Sequence, residues 1–138
     1  MNNELQAMLA SHPQAMAEGN SALGADAHLI ADCAQICTSC ADACLAEPMV
    51  AELTRCIRLN LDCADVCLAT SRVITRQTQP SATLWHDLLT ACATICRLCA
   101  QECERHAAMH EHCRICAEHC RHCAEVCERL LQSQPVVA

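Results

Sequence analysis

Four cysteines set four, three and four residues apart recur along this chain, and that interval places one residue per turn on a single face of an α-helix. The first copy is Cys33, Cys37, Cys40 and Cys44. The same interval returns at Cys92, Cys96, Cys99 and Cys103, and again at Cys116, Cys120, Cys123 and Cys127. A fourth copy runs Cys56, Cys63 and Cys67, with Asn60 where the repeat leads us to expect cysteine. These copies hold 15 of the 16 cysteines, and the last one, Cys113, extends the final copy backwards at the same spacing.

Four such stripes in 138 residues specify one all-α domain. The chain has no Phe, no Tyr, one Trp and two Gly, so thiols stand where rings would fill an ordinary core. Residues 1–20 read as an N-terminal extension, with Leu5, Met8 and Leu9 as the apolar face of a short helix. Pro13 and Gly19-Asn20 punctuate it. The main unit, 21–132, divides into four helices, followed by a tail at 133–138. The first starts near Ser21 or Asp26 and ends about Ala46. The second runs from Pro48 to about Gln77, the third from Ala82 to about His106 with Ser81 as N-cap, and the fourth from His110 to about Gln132. The boundary between the last two lacks Gly and Pro and rests on the restart of the repeat. Short connections predict an antiparallel up-down-up-down four-helix bundle with every stripe turned inward.

Alternating direction fixes which residues share an end. Cys44, Cys56, Cys103 and Cys113 gather at one end, with Met49, His106, Met109 and His110 beyond them. Cys33, Cys67, Cys92 and Cys127 gather at the other. Beyond those come Leu29, Ile30, Ile74, Trp85, Leu88, Leu89, Leu130 and Leu131. One end is a His/Met mouth and the other an apolar plug. His12, His28, His86, His112, His119 and His122 lie off the stripes and read as surface residues.

A formal charge of -7 without a basic stripe argues against nucleic-acid binding. No stretch is apolar enough to span a membrane. The first residues show no basic region followed by an apolar run, so no signal peptide is visible and a cytoplasmic protein with reduced thiols is expected. No open coordination site, nucleotide motif or general-base arrangement marks an enzyme.

Cysteine serving only as a small hydrophobe does not explain fifteen repeated positions, because Ala, Val and Leu pack as well without oxidation risk. Thiolate-rich sites select soft or borderline ions. Zinc and iron–sulfur sites use discrete sets of four ligands. Here the sequence offers ladders of i, i+4 pairs: Cys33/Cys37, Cys40/Cys44, Cys63/Cys67, Cys92/Cys96, Cys99/Cys103, Cys116/Cys120 and Cys123/Cys127. Such a pair suits Cu(I), which tolerates few ligands and accepts bridging thiolates. Capacity is then about 8 ions without sharing and about 16 or somewhat more with it. The expected metal ligands are all 16 cysteines together with His106, Met109 and His110 at the mouth.

These inward Cys-x-x-x-Cys pairs on four helices resemble the bacterial copper storage proteins, over about residues 21 to 132. The lack of a signal peptide is similar to that family's cytosolic branch. The resemblance implies storage and detoxification of many Cu(I) ions in the bundle core, with uptake at the end bearing His106, Met109 and His110. It also implies a homotetramer, with a copper chaperone as a candidate donor. Asn60 departs from the repeat and lies near the mouth. The rival readings are a zinc or iron–sulfur binding protein and a thiol redox buffer, the last needing one or two activated thiols rather than a uniform array.

Overall fold

A computed structural model describes residues 4–14 and 19–133, with no side-chain description at 19–21. Helix α1 spans Glu4–Ala10 and α2 spans Gly19–Leu45. A 3-10 turn at Val50–Leu53 precedes α3, Thr54–Thr75. Helices α4, Ala82–Glu104, and α5, Glu111–Ser133, complete the chain. Helices α2 to α5 pack in a closed ring of antiparallel neighbours, with α5 returning against α2. This is the bundle that the spacing predicts. Each long helix runs 22 to 27 residues, or roughly 33–40 Å at 1.5 Å per residue.

The boundaries differ in three places. Gly19 and Asn20, expected as a break, are the first residues of α2, so the helix starts before Ser21. Asp26 lies inside it, buried, and accepts both guanidinium nitrogens of Arg129 on α5 at 2.7 and 3.1 Å. An Asp that reads as a cap in sequence therefore ties two helices together. The second helix does not start at Pro48: the chain turns there and enters α3 through the 3-10 segment.

Ser81 does cap α4, its hydroxyl accepting from the Leu84 amide at 3.2 Å. Just before it, Gln79 turns the connection at φ 50°, the one positive φ among the described non-glycine residues. Helices α4 and α5 are distinct, and their junction needs neither Gly nor Pro. Amides of Arg105 and His106 bond back to Glu102 and Cys103, and the His110 carbonyl accepts from Cys113 and Arg114. His110 thus starts α5 in the manner of an N-cap backbone, which fixes its ring at the bundle end.

The core is a column of thiols. All 16 cysteines are free and buried, fifteen at 0% exposure and Cys40 at 2%. Ile30, Ile74 and Leu89, all at 0%, close the far end with Leu130. Leu9 of α1 joins this cluster at 3% exposure, while Met8 beside it is 68% exposed. The short helix therefore contributes to the core rather than only covering it. Gly24 permits the contact, because a Cβ there would meet Gln6 Cα at 2.7 Å. Among the described residues no helix is long and apolar enough to cross a membrane.

Candidate metal centre

The helix period turns each stripe inward, and the antiparallel packing interleaves the four stripes. Within helices, Sγ atoms approach to 3.9 Å at Cys33/Cys37, 3.8 Å at Cys63/Cys67 and 4.0 Å at Cys116/Cys120. Contacts between helices are as short: 3.5 Å for Cys37/Cys120, 3.6 Å for Cys67/Cys96, and 3.7 Å for Cys63/Cys96, Cys67/Cys92 and Cys56/Cys103. A tetrahedral ion with metal–sulfur bonds of about 2.3 Å separates its sulfurs by about 3.8 Å. The spacing already suits metal coordination.

The ladders do not stand alone. Sets of four thiols converge from three helices: Cys33, Cys63, Cys67 and Cys96; Cys33, Cys37, Cys63 and Cys120; Cys37, Cys99, Cys116 and Cys120; Cys67, Cys92, Cys96 and Cys123. Sequence spacing shows pairs along one helix and not what faces them. Yet the sets overlap, since Cys33, Cys37, Cys63, Cys67, Cys96 and Cys120 each belong to two. Separate closed sites cannot all fill at once. A run of bridged ions can, each thiolate serving two.

Asn60 interrupts the column one turn inside the mouth. It is fully buried. Its Oδ1 accepts from Cys99 and Cys116 at 3.1 Å each and from Cys103 at 3.7 Å, while Nδ2 donates to Cys56 at 3.5 Å. The amide replaces one thiol with a group that four surrounding thiols satisfy, three at its oxygen and one at its nitrogen.

At the mouth the structure brings in a residue that spacing missed. His112, read as surface from sequence, joins Cys40, Cys44 and Cys113 in one set of four potential ligands. Its Nδ1 lies 3.4 Å from Cys40 Sγ and 3.6 Å from Cys113 Sγ. The signal available in sequence was its place between His110 and Cys113 at the very start of a helix, where the stripe has not yet settled. Its Nε2 lies 2.9 Å from Glu47 Oε2, and the same oxygen lies 3.0 Å from His110 Nδ1. The hydrogen bond with His112 holds the Glu47 carboxyl below the usual range, against partial burial.

The three expected mouth residues stand differently. His110 is buried at 9% exposure, and its Nε2 has no partner among the described residues. His106 is mostly covered, its Nε2 2.9 Å from the buried carboxylate of Glu102. Glu102 also faces Arg105 at 3.2 Å and Arg55 at 3.7 Å. Met109 projects from the turn, 65% exposed, so the rim and not the column is its place. His119 is half-buried, its Nε2 3.2 Å from the Leu29 carbonyl, and His28, His86 and His122 are exposed as expected.

Hydrogen bonds among neighbouring thiols pull some down, as at Cys33, Cys63, Cys92 and Cys116, and push others up, while burial opposes ionisation at each. At the mouth burial pushes the Cys113 thiol up to about 11. Cys40 is also raised, by hydrogen bonds with Cys103 and Cys116 and then by burial. The metal ligand is the thiolate, so each ion that binds a protonated thiol must expel its proton.

A closed helical bundle with a buried column of overlapping thiol sets, a sealed end and a histidine-bearing mouth defines a container for soft metal ions. More narrowly, the chain belongs to the copper storage protein family, whose model matches residues 20–132. It is 48% identical to Ccsp, the copper storage protein of Streptomyces lividans, in a structure loaded with 10 copper equivalents. That likeness covers 93% of this chain and 98% of the other at a TM-score of 0.88. A structure of a cytosolic copper storage protein from Streptomyces lividans with five coppers is 53% identical over 83% of this chain and 95% of that one, with a TM-score of 0.81. An uncharacterised cysteine-rich protein of Bacillus subtilis strain 168, YhjQ, is 35% identical over 82 residues, which is 59% of this chain and 70% of that protein.

Proposed function

We propose that this chain stores and detoxifies many Cu(I) ions in its bundle core, with all 16 cysteines as ligands. The single observation that carries this is the overlap of buried four-thiol sets into one column. Charge separates copper from zinc. A Zn²⁺ ion held by four thiolates leaves two negative charges in a core with no buried cation to offset them, whereas Cu(I) shared at one thiolate per ion leaves none. Uncompensated charge in such surroundings costs several kcal/mol per ion. Bridged Cu(I) is the filling that the core accepts, at about 16 ions or somewhat more.

His106, Met109 and His110 receive copper at the mouth, and His112 joins them as the ligand nearest the first thiols. The unit that holds copper is 21–132, residues 1–20 form an extension, and 133–138 form a tail. The protein works in the cytoplasm, in keeping with a relative described as cytosolic. A copper chaperone is the donor we expect. Exposed Leu61, Leu68, Leu98 and Ile115 give the outer faces apolar surface for the subunit contacts of a homotetramer. Its role is storage rather than catalysis.

The deciding experiment titrates the reduced apoprotein with Cu(I) against a competing chelator and measures metal per chain after gel filtration. We expect about 16 ions or more per chain. A plateau at about four or fewer, or tight zinc at about one ion per four cysteines, would sink the proposal. Replacing His106 and His110 together with alanine should slow loading more than it lowers capacity.

A further inference from the structure

We infer that Glu47 is a positioning residue that fixes opposite tautomers on His110 and His112, aiming one bare ring nitrogen of each at incoming Cu(I). The inference rests on the storage reading above.

The geometry is specific. One carboxylate oxygen, Glu47 Oε2, lies 3.0 Å from His110 Nδ1 and 2.9 Å from His112 Nε2. An ionised carboxylate only accepts hydrogen bonds, so the nitrogen that faces it carries the proton. His110 is therefore held as the Nδ1–H tautomer and His112 as the Nε2–H tautomer. The remaining nitrogens, His110 Nε2 and His112 Nδ1, keep their lone pairs.

Both bare nitrogens are placed where an ion would meet them. His110 Nε2 is buried and has no partner among the described residues. A buried nitrogen left without a bond costs free energy unless a ligand uses it. His112 Nδ1 points at Cys40 and Cys113 from 3.4 and 3.6 Å. The two rings stack with centroids 5.5 Å apart and planes 18° from parallel. The pair offers two bare nitrogens at the mouth, His112 Nδ1 against the first thiols and His110 Nε2 buried on the neighbouring ring. Free imidazoles would offer four tautomer combinations, of which this arrangement uses one.

Glu47 can do this because it stands at the end of α2, where its amide bonds back to the Cys44 carbonyl at 3.2 Å. The same short segment thus carries the last thiol of its stripe, the one at the mouth, and the carboxylate that orients the receiving histidines. No spacing rule connects Glu47 with residues more than sixty positions later.

The test is Glu47→Ala in the full chain, with Glu47→Gln beside it. Nitrogen-15 NMR of the apoprotein reads the tautomers without any copper. We expect the alanine variant to mix the tautomers of both rings. Its affinity for the first Cu(I) equivalent, read against a competing chelator, should fall about 10- to 100-fold, as for other carboxylates that orient metal-binding histidines. Total capacity and far-UV circular dichroism should not change. Glutamine, which keeps an oxygen acceptor at the same reach, should recover most of the loss. Unchanged tautomers or unchanged first-ion affinity in the alanine variant would overturn the proposal. So would a glutamine variant as weak as alanine, or a loss of capacity in step with affinity. The wild-type ion count tests storage separately.

Discussion

Raising the pH should unfold the metal-free bundle abruptly, at an unusually low alkaline value. Every thiol is buried in the fold, where a thiolate with no cation beside it is costly; at Cys113 burial pushes the thiol up to about 11. In the unfolded chain each thiol ionises with a pKa of about 8.5. The unfolded state therefore binds fewer protons than the folded one above that pH, so stability falls as pH rises. At the free-thiol pKa, each thiol that stays neutral in the fold costs about 0.4 kcal/mol, or RT ln 2. With 16 thiols the loss is about 6.5 kcal/mol, and one pH unit higher it is about 23 kcal/mol. A domain stability of about 5–15 kcal/mol is exhausted between about pH 8 and 9.5. Copper-loaded protein should ignore the same range, because its ligands have already lost their protons. Far-UV circular dichroism and ultraviolet thiolate absorbance, followed together under a non-thiol reductant, measure both changes. Apoprotein that stays helical at about pH 10 while its thiols ionise gradually would refute the reasoning.

Three further outcomes follow from other parts of the fold. Loading Cu(I) near neutral pH should release about one proton per thiolate engaged, measurable with a pH indicator in weak buffer; release of far fewer would mean that the thiols were already ionised. Gly24→Ala should push α1 off the bundle, since the obstructing Gln6 Cα is backbone; limited proteolysis should then cut between residues 11 and 18 while α2 to α5 stay helical. Ser81→Ala removes the one hydroxyl that caps α4 and should cost about 1 kcal/mol in urea unfolding, with no change in copper capacity.

The cysteine interval made the bundle legible because a helix has one period and this sequence repeats it with almost no competing signal. It also indicated which cysteines share an end: Cys56 meets Cys103, and Cys67 meets Cys92. Groupings across the column were not legible, since the set that joins Cys37, Cys99, Cys116 and Cys120 depends on how three helices are rotated and offset. The mouth was half legible. His110 continues a stripe and is buried. His112 does not continue one, and it reaches Cys40 because a first-turn residue can fold back along the end of the bundle. Glu47 falls between the first two helices of the sequence reading, and its role needs a fold that brings the end of α2 against the start of α5. Asp26 misled for the opposite reason: a residue with good capping chemistry serves better as the partner of Arg129.

With copper entering at the histidine end, as proposed, the Ile30, Ile74 and Leu89 seal leaves the column a single door. A container with one door fills and empties in reverse order, so the ions deposited first sit deepest and leave last. Copper near Cys92, Cys123 and Cys127 is then a long-term deposit. Copper near Cys40, Cys44 and Cys113 is the fraction within reach of an acceptor. How much a cell can withdraw at short notice is set by the upper levels of the stack, whatever the total it holds.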